Sequence, residues 1–169
     1  MKRAFIIFCA CLLVLGLSGC ESRGREYVYL SGEVLCEVSF SLERVTYRAE
    51  IERLDSGCRI YFHEPPSLSA LTLTSDGESF RAELSGIEVS GEAYAGLFEV
   101  ARFFEYGTRV LASELYGGAE RLTLERSTGE RFSLFVTDGM PSRIEGELYG
   151  ERREIRLLRV EGEMLGERK

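Results

Sequence analysis

Residues 45–52 read Val45-Thr46-Tyr47-Arg48-Ala49-Glu50-Ile51-Glu52. Apolar and polar side chains alternate without a break, the period of a strand with one buried face and one wet face. The alternation runs back through Leu30, Val34, Cys36, Val38, Phe40 and Leu42, with Leu35 the one apolar residue out of phase. It runs forward through Cys58, Ile60 and Phe62 against Arg59, Tyr61 and His63. Leu42-Glu43-Arg44 and Asp55-Ser56-Gly57 separate these strands as turns, glycine serving where positive φ is wanted.

The pattern continues down the chain. Glu64-Pro65-Pro66-Ser67 cannot sit in a central strand. Leu71 and Leu73 then alternate with Thr72 and Thr74, and Asp76-Gly77 is the strongest local hairpin signal in the chain. Phe80, Ala82 and Leu84 answer on the return, Ser85-Gly86 breaks it, and Ile87 to Val89 continues it briefly. After Gly107, one strand carries Val110 and Ala112, with Leu115 further along it, and ends at Gly117-Gly118. Further strands carry Leu122 and Leu124; Phe132, Leu134 and Val136, with Phe135 out of phase; Ile144 and Leu148 across Gly146; and Ile155, Leu157 and Arg159.

Residues 91–106 change period. Tyr94, Leu97, Phe98, Ala101 and Phe104 fall at helical spacing, widened by Val100 and Phe103, with Ser90 to cap the start and Gly107 to end it. The fold expected is therefore mainly β (α+β): a curved antiparallel open half-barrel of about ten strands, with one central helix packed on its concave face. Strands with one apolar face must cover it, and the phenylalanine-rich helix is the available cover. Either Phe98, Phe103 and Phe104 fill the core of a closed sandwich, or they line a lid over a cavity; the residues alone leave both readings open.

The N-terminus reads differently. Lys2 and Arg3 precede an apolar run from Ala4 to Leu17, which ends in Leu17-Ser18-Gly19-Cys20. At about 14 residues the run is short of the roughly 20 needed to span a bilayer and suits a cleaved signal. The Leu-small-small-Cys ending resembles the bacterial lipobox. That resemblance implies removal of residues 1–19, acylation of Cys20 with diacylglyceryl and palmitate, and a lipid-anchored protein on the extracytoplasmic side of a bacterial cell membrane. Residues 20–26 then form an acylated tether, 27–161 the half-barrel domain and 162–169 a charged tail.

The chain has 169 residues, 21 basic and 28 acidic, for a net charge of −7. Loss of Lys2 and Arg3 with the signal takes the balance to −9. No basic footprint for nucleic acid is present, and no polybasic patch would draw the domain onto anionic lipid, which leaves the anchoring to Cys20. Of the five cysteines, Cys9 and Cys11 leave with the signal, and Cys36 and Cys58 remain in the domain. In a meander they fall opposite about residues 49 and 54 of the strand between them. That offset of about five residues is about 17 Å, against the roughly 7 Å a disulfide permits between Cα atoms. Both lie on the apolar phase, so two free buried thiols are expected.

The long strands near residues 28–63, the Glu64-Pro65-Pro66 break leading from Leu68 to Asp76-Gly77, the segment 91–106 and the Asp138-Gly139-Met140-Pro141 turn together resemble the bacterial lipoprotein-carrier superfamily. These are the LolA/LolB-like half-barrels, which include mycobacterial lipid-binding lipoproteins. The resemblance covers about residues 27–160. It implies an open curved sheet with a helix lid over a hydrophobic cavity that holds acyl chains, in a setting of lipid or lipoprotein trafficking. No position matches the polar residues that latch the carrier's lid. Under this reading Phe62, Leu71, Leu73, Phe80, Leu97, Phe98 and Phe104 line the ligand site, with Leu71, Leu73 and Phe80 at its mouth.

Catalytic chemistry finds no footing. His63 is the one histidine and reads as a solvated loop residue, since no Gly-x-Ser-x-Gly elbow or Ser-x-x-Lys accompanies it. No metal spacing, P-loop or dinucleotide fingerprint occurs, so no cofactor is expected. Glutamates alternate with arginines, as in Glu37 beside Arg48 and Glu125 beside Arg131, which reads as a solvated sheet exterior. The expected partners are the membrane through Cys20, a lipid or acyl-chain ligand, or an envelope protein. The alternative function is a non-catalytic structural or accessory subunit of an envelope complex, built with a filled core.

Overall fold

The computed structural model describes residues 33–54, 57–76, 79–92, 96–104, 106–148 and 150–162, the side chains of Glu92 and Phe98 excepted. The signal segment, Cys20, the tether, residues 27–32 and the tail from 163 lie outside the described residues. Eleven strands form one antiparallel sheet: β1 (Val34–Leu42), β2 (Val45–Leu54), β3 (Gly57–Glu64), β4 (Leu71–Ser75), β5 (Ser79–Leu84), β6 (Ile87–Glu92), β7 (Arg109–Tyr116), β8 (Ala119–Glu125), β9 (Arg131–Thr137), β10 (Met140–Leu148) and β11 (Glu151–Gly162). Their spatial order is β6-β5-β4-β3-β2-β1-β11-β10-β9-β8-β7. Two meanders therefore meet where β1 pairs with β11, and β6 and β7 are the open edges of a curved sheet. The eleventh strand arises because Ser85-Gly86 is a two-residue hairpin turn with both φ positive (51° and 83°), where the sequence predicts only a break.

The alternating residues fall as the period requires. Val34, Cys36, Val38, Phe40, Ala49, Ile51, Cys58, Ile60, Phe62 and Leu73 are buried on the concave face, and Leu122, Leu124, Phe132, Leu134, Ile144, Leu148 and Ile155 bury the other half of it. The convex face carries cross-strand ion pairs, Arg48 to Glu37 at 2.5 Å and Arg131 to Glu125 at 3.0 Å among them. Bulges shift two phases from those expected. An extra residue at Leu111 turns Ala112 to the convex side opposite Thr123, and one at Leu158 turns Arg159 out beside Glu37 and Val160 in.

The central α-helix expected over 91–106 is not formed. β6 runs through Glu92, and Gly96–Phe104 is a nine-residue 3-10 helix. This segment must carry the chain from one sheet edge to the other. A 3-10 helix rises about 2.0 Å per residue against 1.5 Å for an α-helix, so it covers more ground with the same residues. Its threefold period sorts the side chains. Leu97, Val100 and Phe103 form one ridge and Ala101 and Phe104 a second; Val100, Ala101, Phe103 and Phe104 are buried. Glu99 and Arg102 form the outward ridge and pair at 3.0 Å.

Candidate functional site

The crossing segment packs over β2, β3 and β10 at the middle of the concave face. Phe103 seats directly on Gly146: a Cβ at that glycine would lie 2.5 and 2.6 Å from two Phe103 ring carbons, Cε1 and Cζ, and 3.1 Å from Phe132 Cβ. The Phe103 ring meets the Phe132 ring edge-on, with centroids 5.0 Å apart. Gly146 is thus the place where the sheet accepts an aromatic ring against its backbone.

Two polar devices hold the segment down. Arg102 pairs with Glu130 at 2.6 Å, and Arg126 meets the same carboxylate at 3.0 Å, tying the segment to the β8–β9 turn. Arg53 is buried on the concave side of β2, where its Nε donates to the Phe104 carbonyl and its guanidinium lies 5.2 Å from the Tyr106 ring centroid. Burial lowers the pKa of Arg53 below the ordinary arginine value, opposed by Cys36, Tyr106 and Cys58 around it. Arg53 is not among the residues that the sequence pattern singles out. A signal was present, because Arg53 continues the apolar phase Tyr47, Ala49, Ile51, where a charge needs a partner.

The two cysteines are free and buried. Cys36 stands opposite Ile51, and Cys58 opposite Arg53, on strands separated by β2. The offset is two residues rather than the five expected. The two strand spacings alone, about 10 Å, still exceed what a disulfide spans. Burial pushes the Cys36 thiol up to about 12, with Arg53 opposing.

Beneath the segment the remaining space is about 30 Å³, lined by Val34, Cys36, Arg53, Phe103, Phe104 and Leu134 among others. That is the scale of one water, whereas ligand pockets run to about 300–1,000 Å³. Of the residues expected to line a ligand site, Phe62, Leu73 and Phe104 belong to the buried core, while Leu71, Phe80 and Leu97 are half-buried against it. The side chain of Phe98 lies outside the described residues, as does Cys20. His63 is exposed at the end of β3.

The concave face stays open over β4–β6. Register places Leu71, Leu84 and Ile87 in one row and Leu73, Ala82 and Val89 in the next. Leu84 is 36%, Ile87 69% and Val89 57% exposed. The Phe80 ring lies over Gly91, where a Cβ would be 2.7 Å from it, and closes the third row. An apolar surface therefore runs from the core out to the β6 edge. Two larger hollows open on the convex side. One of about 330 Å³ is lined by Arg121, Arg131, Glu145 and Arg152, and one of about 530 Å³ by Leu35, Glu50, Glu52, Tyr61 and His63. Among the described residues no cluster of His, Cys, Asp or Glu could hold a metal ion, and no helix is long and apolar enough to cross a membrane.

No protein-family model matches the chain, and no curated protein does. Solved structures similar to it include an uncharacterized conserved protein from Thermus thermophilus, with TM-score 0.48, 16% identity, and coverage of 79% of this chain and 80% of that one. They also include a LolA superfamily protein from Nitrosomonas europaea, with TM-score 0.43, 12% identity, and coverage of 78% of this chain and 86% of that one.

Proposed function

We propose that the chain is a non-catalytic protein of the bacterial envelope, anchored on the extracytoplasmic side by acylation at Cys20, which takes up a hydrophobic ligand of the lipid or acyl-chain class. The observation that carries this reading is the pair of apolar rows on β4–β6, continuous with the core yet open to solvent. An exposed apolar patch rimmed by polar strands marks a binding surface. The ligand lies along Leu71, Leu84, Ile87 and Val89, and reaches Leu97 at the start of the crossing segment. Titration of a fluorescent fatty acid tests it. The wild-type chain binds saturably, and Ile87→Asp with Val89→Asp, both at exposed positions, abolishes binding without altering thermal unfolding. Equal binding by both chains would sink the proposal.

A second reading draws on how little space, about 30 Å³, is left under the segment. A packed interior suits an accessory subunit of an envelope complex, with the same open rows covered by a partner protein. Crosslinking in whole cells separates the two: a single defined protein adduct at β6 favours the subunit, and lipid adducts favour the carrier.

A further inference from the structure

The registers put four features along one end of the sheet. β1 starts at Val34 opposite Gly162 at the end of β11. β10 starts beside the end of β9, with Met140 opposite Thr137, and β7 ends at Tyr116 opposite Ala119. The start of the fold, the end of the fold, the β9–β10 turn and the β7–β8 turn thus share an end. Exposed apolar side chains stand at this end: at its β7 corner Leu115 is 88% and Tyr116 57% exposed, on opposite faces of the strand, and Met140, three strands away at the start of β10, is 48% exposed.

Leu115 and Tyr116 lead into Gly117-Gly118, a tight turn with φ of 59° and 87°, so they are carried at a projecting hairpin tip on an edge strand exposed at all eight residues. Tyr116 is held in place from the convex side. Its ring meets Phe135 edge-on at 6.1 Å, and Arg121 lies 5.8 Å from its centroid. Arg143 in turn covers Phe135 at 3.9 Å. A projecting leucine beside an amphipathic tyrosine, with a methionine farther along the same end, is the side-chain chemistry of a lipid–water interface, apolar groups inward and polar tips at the headgroups, while Arg121 is paired with Glu114 and Arg143 with Glu145 and Glu154.

The geometry points to this end of the sheet as a contact with the lipid surface itself, Leu115, Tyr116 and Met140 entering the boundary between headgroups and acyl chains. The inference rests on the proposed acylation of Cys20, which lies 14 residues before Val34 and joins the fold at this same end. Five strand spacings separate β1 from β7, roughly 24 Å. Fourteen residues reach up to about 46 Å when extended, so an anchored chain can lay this corner on the membrane. The lipid surface would be neutral, because the chain is acidic overall.

The chain has no tryptophan, so a single one reports its own surroundings. Leu115→Trp is compared with Val45→Trp, at the β1–β2 turn on the opposite end and itself 41% exposed. Each purified chain is mixed with phosphatidylcholine vesicles carrying bromines at shallow acyl carbons. Leu115→Trp is expected to shift to the blue and lose most of its emission, while Val45→Trp keeps both. Equal behaviour of the two, an unquenched Leu115→Trp, or a blue shift on concentration without vesicles would overturn the assignment, the last by giving the corner to a second copy of the chain. The mass of the same proteins reports acylation separately. An acylated chain with an unquenched Leu115→Trp defeats the corner and spares the anchor. An unacylated chain that is still quenched does the reverse.

Discussion

The seating of Phe103 on Gly146 gives the sharpest test of how the concave face is built. Gly146→Ala places a methyl 2.5–2.6 Å from two ring carbons of Phe103 and 3.1 Å from Phe132 Cβ. Gly146 lies inside β10 at a backbone conformation open to any residue. At an uncrowded site alanine would stabilise by about 0.4–1 kcal/mol through the unfolded chain. Overpacking costs about 1–3 kcal/mol, so the clash wins and the variant loses stability. Phe103→Ala removes a buried ring at a cost of about 3–5 kcal/mol, of which about 0.5–1.5 kcal/mol is the edge-on pair with Phe132. In the double variant the methyl enters the space the ring has left. Its cost therefore falls short of the sum of the single costs by about 1 kcal/mol or more. Urea unfolding of the four proteins measures the coupling. Because Gly146→Ala lifts the crossing segment, it should also raise uptake of a hydrophobic probe above wild type. Additivity within about 0.5 kcal/mol would refute the seating, and with it the idea that this glycine governs how firmly the segment lies on the sheet.

Arg53→Met keeps much of the side-chain volume but strands the Phe104 carbonyl. Loss of a charge-assisted bond costs about 1.5–3 kcal/mol, and amide hydrogen exchange across 96–104 should quicken while β8–β11 stays slow; unchanged exchange would contradict the tie. Glu125 is held below its ordinary value by hydrogen bonds from Arg109 and then Arg131. A depressed carboxylate contributes stability above the ordinary value of 4.5, and loses it as pH falls through the folded value. Glu125→Gln should thus be less stable than wild type at pH 7 and equal to it in strong acid, and a pH-independent gap would refute this. The Cys36 thiol, raised to about 12, has the opposite sign. Its contribution is complete below the ordinary thiol value of 9.0 and fades as pH climbs toward 12. Native protein should therefore resist thiol reagents at pH 8 at Cys36 and react once unfolded, and rapid native labelling there would contradict the burial.

Strand phase was legible because period two is a strong signal where one face alone is buried. Residues 45–52 read correctly, and so did the convex ion pairs. The bulges at Leu111 and Leu158 were not legible, since an inserted residue flips every later side chain without marking itself in composition. The crossing segment differs from the α-helix expected for a physical reason. Spacing i, i+3 belongs to both α and 3-10 periods, and Leu97, Val100 and Phe103 satisfy either. The polar residues Glu99, Arg102 and Glu105 repeat every three, which distinguishes them. Within the candidate site, Leu71, Leu73 and Phe80 could be named from the proline break and the hairpin that follows it, and Leu97 from the apolar spacing of residues 91–106. The exposure of Ile87 and Val89 could not, because it depends on which strands the segment crosses. Arg53 is legible as a charge on an apolar phase, but its partner is not, because the Phe104 carbonyl comes from the distant crossing segment.

The central claim is that the open rows on β4–β6 hold a hydrophobic ligand. A photoreactive fatty acid, crosslinked to the chain and mapped by peptide mass, tests it directly. The account predicts saturable labelling within Leu71–Val89 and at Leu97, competed away by unlabelled fatty acid. Labelling that does not saturate, or that falls on the convex hollow between Leu35 and Tyr61 instead, would contradict it.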